Sequence, residues 1–523
     1  MTRKVLLPLF SLIVTSSLFA APDTVDTNFA NTAGQVFDAP DFGGISSVLV
    51  QPDGKILFGS NEIPAVLDRG TPLAQPIALP LTRFNPDGSV DNTFFADNEP
   101  TGSDAGIYYD GQGWPEVHAL GLLSDGKIIA AGVMQGVRTG TQGSPGTFLE
   151  SNSIVRFNPD GSIDTSFQTA GTTAWPTGGL NYIEEVTVQL DDKVIAVGGF
   201  GGFRDGGGTP TAVRYGIARL NLDGSLDTNF EIDPSEFGVP VGAPLLRGWF
   251  REASLDAAGR ILVVGSLEWG PAFPPAGTIE VLARLNPDGS RDVGFAPQLP
   301  ADLESFQNVL VEPSGKIVVI ANRPGGQNWM GRFLPDGAPD PSFTIDPALT
   351  SFSARPLRID AEGRFLLATR SGSGSFDRLV RILNDGSLDS DFDALATYVN
   401  GPNGAGTGYF GTFDTAPSGK IYSGSFFDRV NGEATVKVVA FEGDFAPGAP
   451  GELRIGTLTT SASEQDGVMR FAVVRSAGVS GTATIDYSTV PDTAGTGDFT
   501  ATTGTLTWPD GTGGLRYIEV PLT

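Results

Sequence analysis

The sequence predicts an all-β protein: a seven-bladed β-propeller of four-stranded blades, followed by a smaller second β-domain. Three observations predict it. Two hairpin-like motifs alternate along most of the chain, and the first is copied seven times. The second has six complete copies and a seventh divided between the two ends of the array. Composition agrees, since 70 glycines and 38 prolines against 18% charged residues suit many short strands joined by turns.

Residues 1–20 read as a signal peptide. Arg3 and Lys4 precede an apolar run from Val5 to Val14, and small residues follow at Ser16, Ser17, Ala20 and Ala21. The run is about half of the roughly twenty residues that a membrane span needs. Export to an extracellular, periplasmic or cell-surface location is therefore expected, with no membrane insertion once the signal is removed. The formal net charge is −27, and loss of Arg3 and Lys4 deepens it by two. Such a chain repels phosphate backbones, so nucleic acid is not an expected partner. No cysteine is present, so packing must supply the stability that disulfides give many exported proteins.

The propeller is assigned to residues 21–445. Its first motif is an apolar strand, a turn, then a basic residue leading a second apolar strand. It reads VLVQPDGKILFGS at 48–60, LGLLSDGKIIAAG at 120–132 and VTVQLDDKVIAVG at 186–198, with looser copies at 253–265, 309–321, 357–369 and 413–425. The second reads LTRFNPDGSVDNTF at 81–94 and IVRFNPDGSIDTSF at 154–167, and returns at 217–230, 282–295, 330–343 and 379–392. Asn-Pro-Asp-Gly suits a type I turn whose glycine takes the left-handed region, closing a three-residue hairpin loop. Two hairpins give four strands per period, the size of a propeller blade. The polar S-x-D-x-x-F segment is expected as the outer strand. The divided copy has TVDTNF at 24–29 and VVAFEG at 438–443, so the N-terminal segment is expected to complete the last blade.

With that loop, Arg83 faces Asp91 across the hairpin. The same eight-residue separation relates Arg156 to Asp164, Arg219 to Asp227, Arg284 to Asp292, Arg332 to Asp340 and Arg381 to Asp389. These are expected as cross-strand ion pairs that hold the hairpins. At the seventh site Val438 is expected in the arginine's place. The Asn85, Asp87, Ser89, Asp91 series resembles a calcium loop superficially, but its glycine falls at the fourth position and no glutamate closes it. Turn formation is the expected role.

The repeat resembles the delta-60 repeat family of bacterial secreted proteins, which carries this N-x-D-G-S-x-D-x-x-F pattern. The resemblance runs from about Pro22 to Gly443 and implies a β-propeller with no particular reaction.

Residues 446–452, opening on Ala-Pro-Gly-Ala-Pro, read as a linker. Beyond it, alternating strands are expected at 469–476, 482–489, 504–508 and 516–522. Glu464, Arg475, Gly478, Tyr487, Thr489, Ala494, Gly497, Asp498, Phe499 and the run Gly504 to Leu506 resemble the Calx-beta family. That resemblance implies a partial immunoglobulin-like β-sandwich over 453–523, lacking the family's closing strands and final acidic cluster. It also implies that Glu464 and Asp498 match calcium-ligating positions, leaving calcium as the one candidate cofactor, at an incomplete site.

Catalytic residues are not assigned. His118 is the single histidine, and almost all recurring acids belong to the repeat. The loops are more informative. Tight turns occupy one face of the ring, and long loops at 95–117, 133–152, 168–184, 199–213, 231–251 and 266–279 occupy the other. On or beside the long loops stand Tyr108, Tyr109, Trp114, Trp175, Tyr182, Trp249, Trp269, Phe273 and Trp329. Such aromatics either stack on a ligand or plug the wide mouth of the channel. Tyr109, Trp114, Trp175, Trp249, Trp269 and Trp329 are the candidate ligand contacts. The leading expectation is a non-enzymatic interaction or adhesion-type protein that binds a glycan or a protein partner on this face. The alternative is a secreted carbohydrate-active hydrolase using Asp110, Glu116, Glu184 or Glu185.

Overall fold

The computed structural model describes residues 22–34, 44–60, 81–94, 106–108, 116–134, 136–141, 144–150, 153–167, 172–173, 182–204, 210–271, 275–349, 352, 357–360, 362–370, 377–398, 406–435, 437–443, 450–455, 468–490, 498–510 and 512–523. The expected signal peptide lies outside them.

Each copy of the repeat folds into an antiparallel unit with an inner, a central and a third strand. Repeat one comprises Ile45–Val50, Ile56–Ser60 and Leu81–Phe84, and repeat two Glu116–Leu122, Ile128–Val133 and Ile154–Phe157. Repeat three comprises Tyr182–Val188, Val194–Gly199 and Ile217–Leu220, and repeat four Leu245–Leu255, Ile261–Trp269 and Gly277–Leu285. Repeat five comprises Ser305–Val311, Ile317–Arg323 and Gln327–Phe333, and repeat six Arg358–Ile359, Phe365–Thr369 and Arg378–Ile382. Repeat seven comprises Tyr409–Thr415, Ile421–Phe426 and Val438–Phe441.

Inner strands pack against one another from repeat one through repeat five, and the inner strand of repeat seven touches those of repeats six and one. The central strands of repeats two to six open on apolar runs that are buried on both faces, as Ile128–Ala131 and Val194–Val197 are. Ile129 and Ala131 of repeat two share a core with Ile183 and Val186 of repeat three, for example. Tyr422 of repeat seven shares one with Phe58 and Phe84 of repeat one, which closes the circle. The arrangement is a β-propeller.

The expected fourth strand is smaller than a strand in most blades. Val90 makes a single bridge to Phe84, and Ile163, Leu226, Arg291 and Pro339 do the same in their repeats. The chain then turns in. The Asp91 carboxylate accepts the Thr93 N–H at 3.0 Å, and the Phe94 N–H reaches the Asp91 carbonyl at 3.1 Å, which drops Phe94 into the core. Repeat six differs, because Leu388–Tyr398 continues as a strand and pairs onward with Arg429–Val430 of repeat seven.

The N-terminal segment lies in the last repeat. Val25 bridges Phe441, the Asp26 N–H reaches the Ala440 carbonyl at 2.8 Å, and the Glu442 N–H reaches the Thr24 carbonyl at 2.9 Å. Instead of a strand through residue 29, a helix runs over Thr27–Gly34. Asp26 caps it by accepting the N–H groups of Asn28 and Phe29, both at 3.1 Å. This register puts Ala440, not Val438, in the arginine's place.

The C-terminal segment forms two sheets. One joins Pro450–Ile455, Val468–Gly478 and Gly514–Pro521, and the other joins Ala483–Ser488 to Thr503–Trp508. The first of these strands begins inside the stretch expected as linker. Trp508 and Arg475 are buried, and the Arg475 guanidinium donates to the carbonyls of Pro450, Ser480, Gly481 and Thr512 at 2.7–3.0 Å. Backbone acceptors alone surround this charge, which fixes the loops between the two sheets.

Candidate ligand site at the long-loop mouth

The recurring polar residues meet in one arrangement. Asn85, Asp87 and Ser89 are consumed by the turn: the Asp87 carboxylate accepts both the N–H and the hydroxyl of Ser89, at 2.9 and 2.6 Å. Arg83 sits 2.8 Å from Asp91, and the other five pairs are separated by 2.7–2.9 Å. Each guanidinium also lies over the motif's phenylalanine, 4.4–5.1 Å from the ring centre.

Two partners of this set were not expected. The basic residue of the first motif reaches the same aspartate: Lys55 to Asp91 at 2.9 Å, Lys127 to Asp164 at 3.0 Å, Lys193 to Asp227 at 2.8 Å, Arg260 to Asp292 at 3.4 Å and Lys316 to Asp340 at 2.9 Å. The arginine reaches into the next blade, where Arg83 donates to the Pro159 carbonyl and Arg284 to that of Pro335, both at 2.6 Å. Arg156 and Arg219 make the same bond to Leu222 and Pro287. Burial opposes ionisation of Asp91, but hydrogen bonds from Thr93 and Lys55 and the charge of Arg83 outweigh it, so its carboxyl stays well below the ordinary range. In repeat seven Ala440 stands in place of the arginine, and Lys420 is the cation beside Asp26, at 2.6 Å.

The turn glycines serve this seam too. Gly289 has φ of 92°, and a Cβ there would stand 2.7 Å from the Glu231 carbonyl oxygen of the preceding blade. Gly88 closes on Phe29, whose place three residues after Asp26, as Phe94 stands after Asp91, marks it as the last repeat's phenylalanine. These residues hold blades together and leave no free ligand group.

The inner strands behave differently. Those of repeats one to five and seven each carry a β-bulge at the same register. The bulge skips Ser46, His118, Glu184, Arg251, Gln307 and Gly411, six different residues, all half-buried. Side chains stitch neighbouring inner strands where their edges would be bare. Ser47 donates to the Val117 carbonyl at 2.8 Å, Thr187 to that of Ala253 at 2.7 Å, and Asp414 accepts the Val50 N–H at 2.8 Å. Burial lifts the Asp414 carboxyl above its ordinary range although Arg358 opposes it.

Toward the long-loop end these strands bring His118, Tyr182 and Trp249 into a row. Each adjacent pair of ring centres is 6.2 Å apart and near-perpendicular, at 78° and 89°. Arg251 lies over the Trp249 ring at 5.2 Å, donates to the Phe306 carbonyl at 3.3 Å and stands 3.8 Å from Glu280. His118 is 2.6 Å from Glu116, and Arg247 makes two bonds to Glu268, at 2.7 and 3.0 Å. Burial holds the Glu280 carboxyl above its ordinary range, with Arg251 opposing and Glu268 adding. The indole Nε1 of Trp249 is buried and has no hydrogen-bond partner among the described residues. A buried donor without an acceptor costs about 1–3 kcal/mol.

Two repeats join here. The strands of repeat four run several residues past their counterparts, and Trp249 pairs with Gly199 of repeat three. Gly216 and Gly248 let the two backbones meet: a Cβ on Gly216 would stand 2.4 Å from the Gly248 oxygen.

Of the expected contacts, Tyr109, Trp114, Trp175 and Phe273 lie outside the described residues, as does Asp110. Trp249, Trp269 and Trp329 stand on strands, not loops. Trp269 covers Gly277 and Trp329 covers Gly331, each half-buried against an apolar cluster, so those two extend the core. Glu116, Glu184 and Glu185 are on inner strands; Glu185 is among the charges that hold Arg358 ionised. Glu464 lies outside the described residues. Asp498 is exposed, and the Thr523 N–H reaches its backbone carbonyl at 3.3 Å. Among the described residues no cluster of three His, Asp or Glu side chains has the form of a metal site, and no helix is long and apolar enough to cross a membrane.

The fold defines the class of protein, a β-propeller. A family model, the beta-propeller domain of unknown function DUF5122, matches residues 80–94, 146–167, 189–230 and 280–295. Those stretches are the Asp-Gly hairpins of repeats one to four with the strands that lead into them. No curated protein matches the chain. Solved structures similar to it include the WD40 beta propeller domain of Doa1, at 10% identity over 76% of this chain and 92% of that one, with a TM-score of 0.36. A protein of unknown function from Dyadobacter fermentans is 14% identical over 65% and 98%, with a TM-score of 0.36. The gluconolactonase XC5397 from Xanthomonas campestris is 14% identical over 61% and 82%, with a TM-score of 0.31.

Proposed function

We propose that this chain is an exported, non-enzymatic binding protein whose seven-bladed, delta-60-like propeller holds a glycan at its long-loop mouth. A Calx-beta-like, immunoglobulin-type domain follows the propeller. The observation that carries the reading is the Trp249 rim: a row of His118, Tyr182 and Trp249 across the inner strands of three repeats, two of which pair at Gly199 and Trp249. Aromatic faces suit a sugar, whose C–H faces stack on them. Preorganisation lowers the ordering cost of binding. Support for seven blades comes from the recurrence of the three-strand unit and from the placing of residues 24–29 in the last one.

A glycan array, run beside a hydrolysis assay on every glycan retained, tests this. Retention without release of product is expected. Product release would move the protein to the carbohydrate-active enzymes, and retention of no glycan at all would overturn the reading.

A further inference from the structure

We infer that the inner turns of repeats four to seven, which join inner to central strands, are a docking surface for the chain's own C-terminal two-sheet segment. That segment covers the tight-turn end of the propeller and leaves the long-loop mouth as the face for outside partners. The surface lies at the opposite end from the proposed ligand site, and its role does not depend on what that site binds.

Seven equivalent residues differ in exposure. At the tips of the inner turns stand Asp53, Asp125, Asp191, Ala258, Ser314, Glu362 and Ser418, one per repeat. Each turn is closed by the same backbone hydrogen bond, as from the Gly54 N–H to the Gln51 carbonyl, at 2.8–3.0 Å. Yet the tip residue is exposed in repeats one to three and half-buried in repeats four to seven. The outer turns show no such division, since Asp87, Asp160, Asp223, Asp288, Asp336 and Asp385 are all exposed. Turns of equal geometry and unequal exposure are covered from outside the repeat, and only near the axis.

Two contacts, one at each end of the covered sector, identify the cover. A Cβ on Gly513 would stand 2.5 Å from the Pro417 Cβ, so the backbone entering the last strand, Gly514–Pro521, rests on the inner turn of repeat seven. Further along that strand, burial lifts the Tyr517 hydroxyl above its ordinary range, with Arg470 opposing and Asp256 of repeat four adding. The Asp256 carbonyl closes the inner turn of repeat four. Residues 513 to 517 reach about 13 Å as a strand. Repeats four and seven have two repeats between them on one side and three on the other, so this strand crosses close to the axis. Gly443, where the chain leaves repeat seven, stands against Gly419 of the same turn, which brings the segment to this end.

The sequence divides at the same place. The open turns carry aspartate at their tips, whereas the covered ones carry Ala258, Ser314 and Ser418, with Glu362 as the charged exception. Small neutral tips let a backbone approach, and a covered aspartate would lose hydration.

The chain has no cysteine, so an introduced thiol is unique. Asp53→Cys, Asp125→Cys, Ala258→Cys and Ser418→Cys place it at the same turn position in four full-length variants. Each is labelled with a maleimide carrying a polyethylene glycol chain, and the rate is read by mass. Ala258→Cys and Ser418→Cys are expected to react at least about tenfold more slowly than the other two, because the segment must open first. Gly513→Trp drives an indole against Pro417. Whether it undocks or unfolds the segment, Ala258→Cys should then react as fast as Asp125→Cys, whose own rate should hold. Equal rates at all four positions without the tryptophan would overturn the docking. So would slow labelling of Ala258→Cys that survives Gly513→Trp, alone and combined with Pro417→Trp, since the cover would then belong to the propeller.

Discussion

The outer hairpins and the inner strands belong to the same blades, yet they differ in how they repeat. Outside, arginine, aspartate, phenylalanine and the Asn-x-Asp-Gly turn return in blade after blade, with pair distances that agree within 0.2 Å. Inside, the bulge keeps its register while its residue changes from Ser46 to His118, Glu184, Arg251, Gln307 and Gly411. A residue needed at every seam is fixed by geometry that every seam shares. A position that keeps its backbone and varies its chemistry is free of that demand, and there a rigid scaffold can carry a ligand.

The sharpest break of the outer pattern is at its one irregular seam. Phe29 is fully buried between Phe84 of repeat one and Tyr422 of repeat seven, so Phe29→Ala should cost about 3–5 kcal/mol, read as a lower urea midpoint. An unchanged midpoint would separate the N-terminal segment from closure of the propeller. Next, Arg83→Met leaves Asp91 buried with Lys55 as its remaining cation and frees the Pro159 carbonyl. A loss of about 3 kcal/mol is expected. Lys55→Met removes the more exposed partner and should cost about 1 kcal/mol. Equal losses for the two would mean that the arginine's reach into the next blade adds nothing.

Acid gives a test with a defined sign. The carboxyls of Asp91, Asp164, Asp227, Asp292 and Asp340 are all held below their ordinary range in the folded chain. They therefore favour folding above about pH 4, the ordinary carboxylate value, and that contribution fades as pH falls below it. Stability should drop steeply under pH 4, and a variant with Arg156→Met and Asp164→Asn should drop less steeply than wild type. A parallel pH profile would contradict the pairs' role. Away from the seam, Trp269→Ala and Trp329→Ala should each cost about 2 kcal/mol, since each half-buried ring covers a glycine.

How far the sequence could be read follows the same division. Arg83 and Asp91 are eight residues apart around one tight turn, so a single hairpin register places them together. Lys55 and Asp91 are joined by a connection whose length differs in each repeat: that separation is 36 residues, and Lys316 to Asp340 is 24. No fixed spacing signals it. The arginine's bond to the next blade spans 76 residues at Arg83 and 51 at Arg284, and needs the packed propeller to be seen. The single-bridge outer strand did leave a trace, because Asp91 with Thr93 two residues on has the form of an Asx turn. At the rim, Trp249 was legible as a surplus aromatic. Its fusion to Gly199 was not, since one backbone pair between blades has no sequence signature.

The most direct measurement compares one residue from each region by urea denaturation. Arg156→Met alters the repeated seam, and Ser46→Ala alters the half-buried bulge residue of an inner strand. Arg156→Met is expected to lower the midpoint by an amount equivalent to about 3 kcal/mol, and Ser46→Ala to leave it within about 0.5 kcal/mol of wild type. A fall in Ser46→Ala as large as that in Arg156→Met would make the bulge residue part of the fold, and the division between fixed seam and variable inner strand would be wrong.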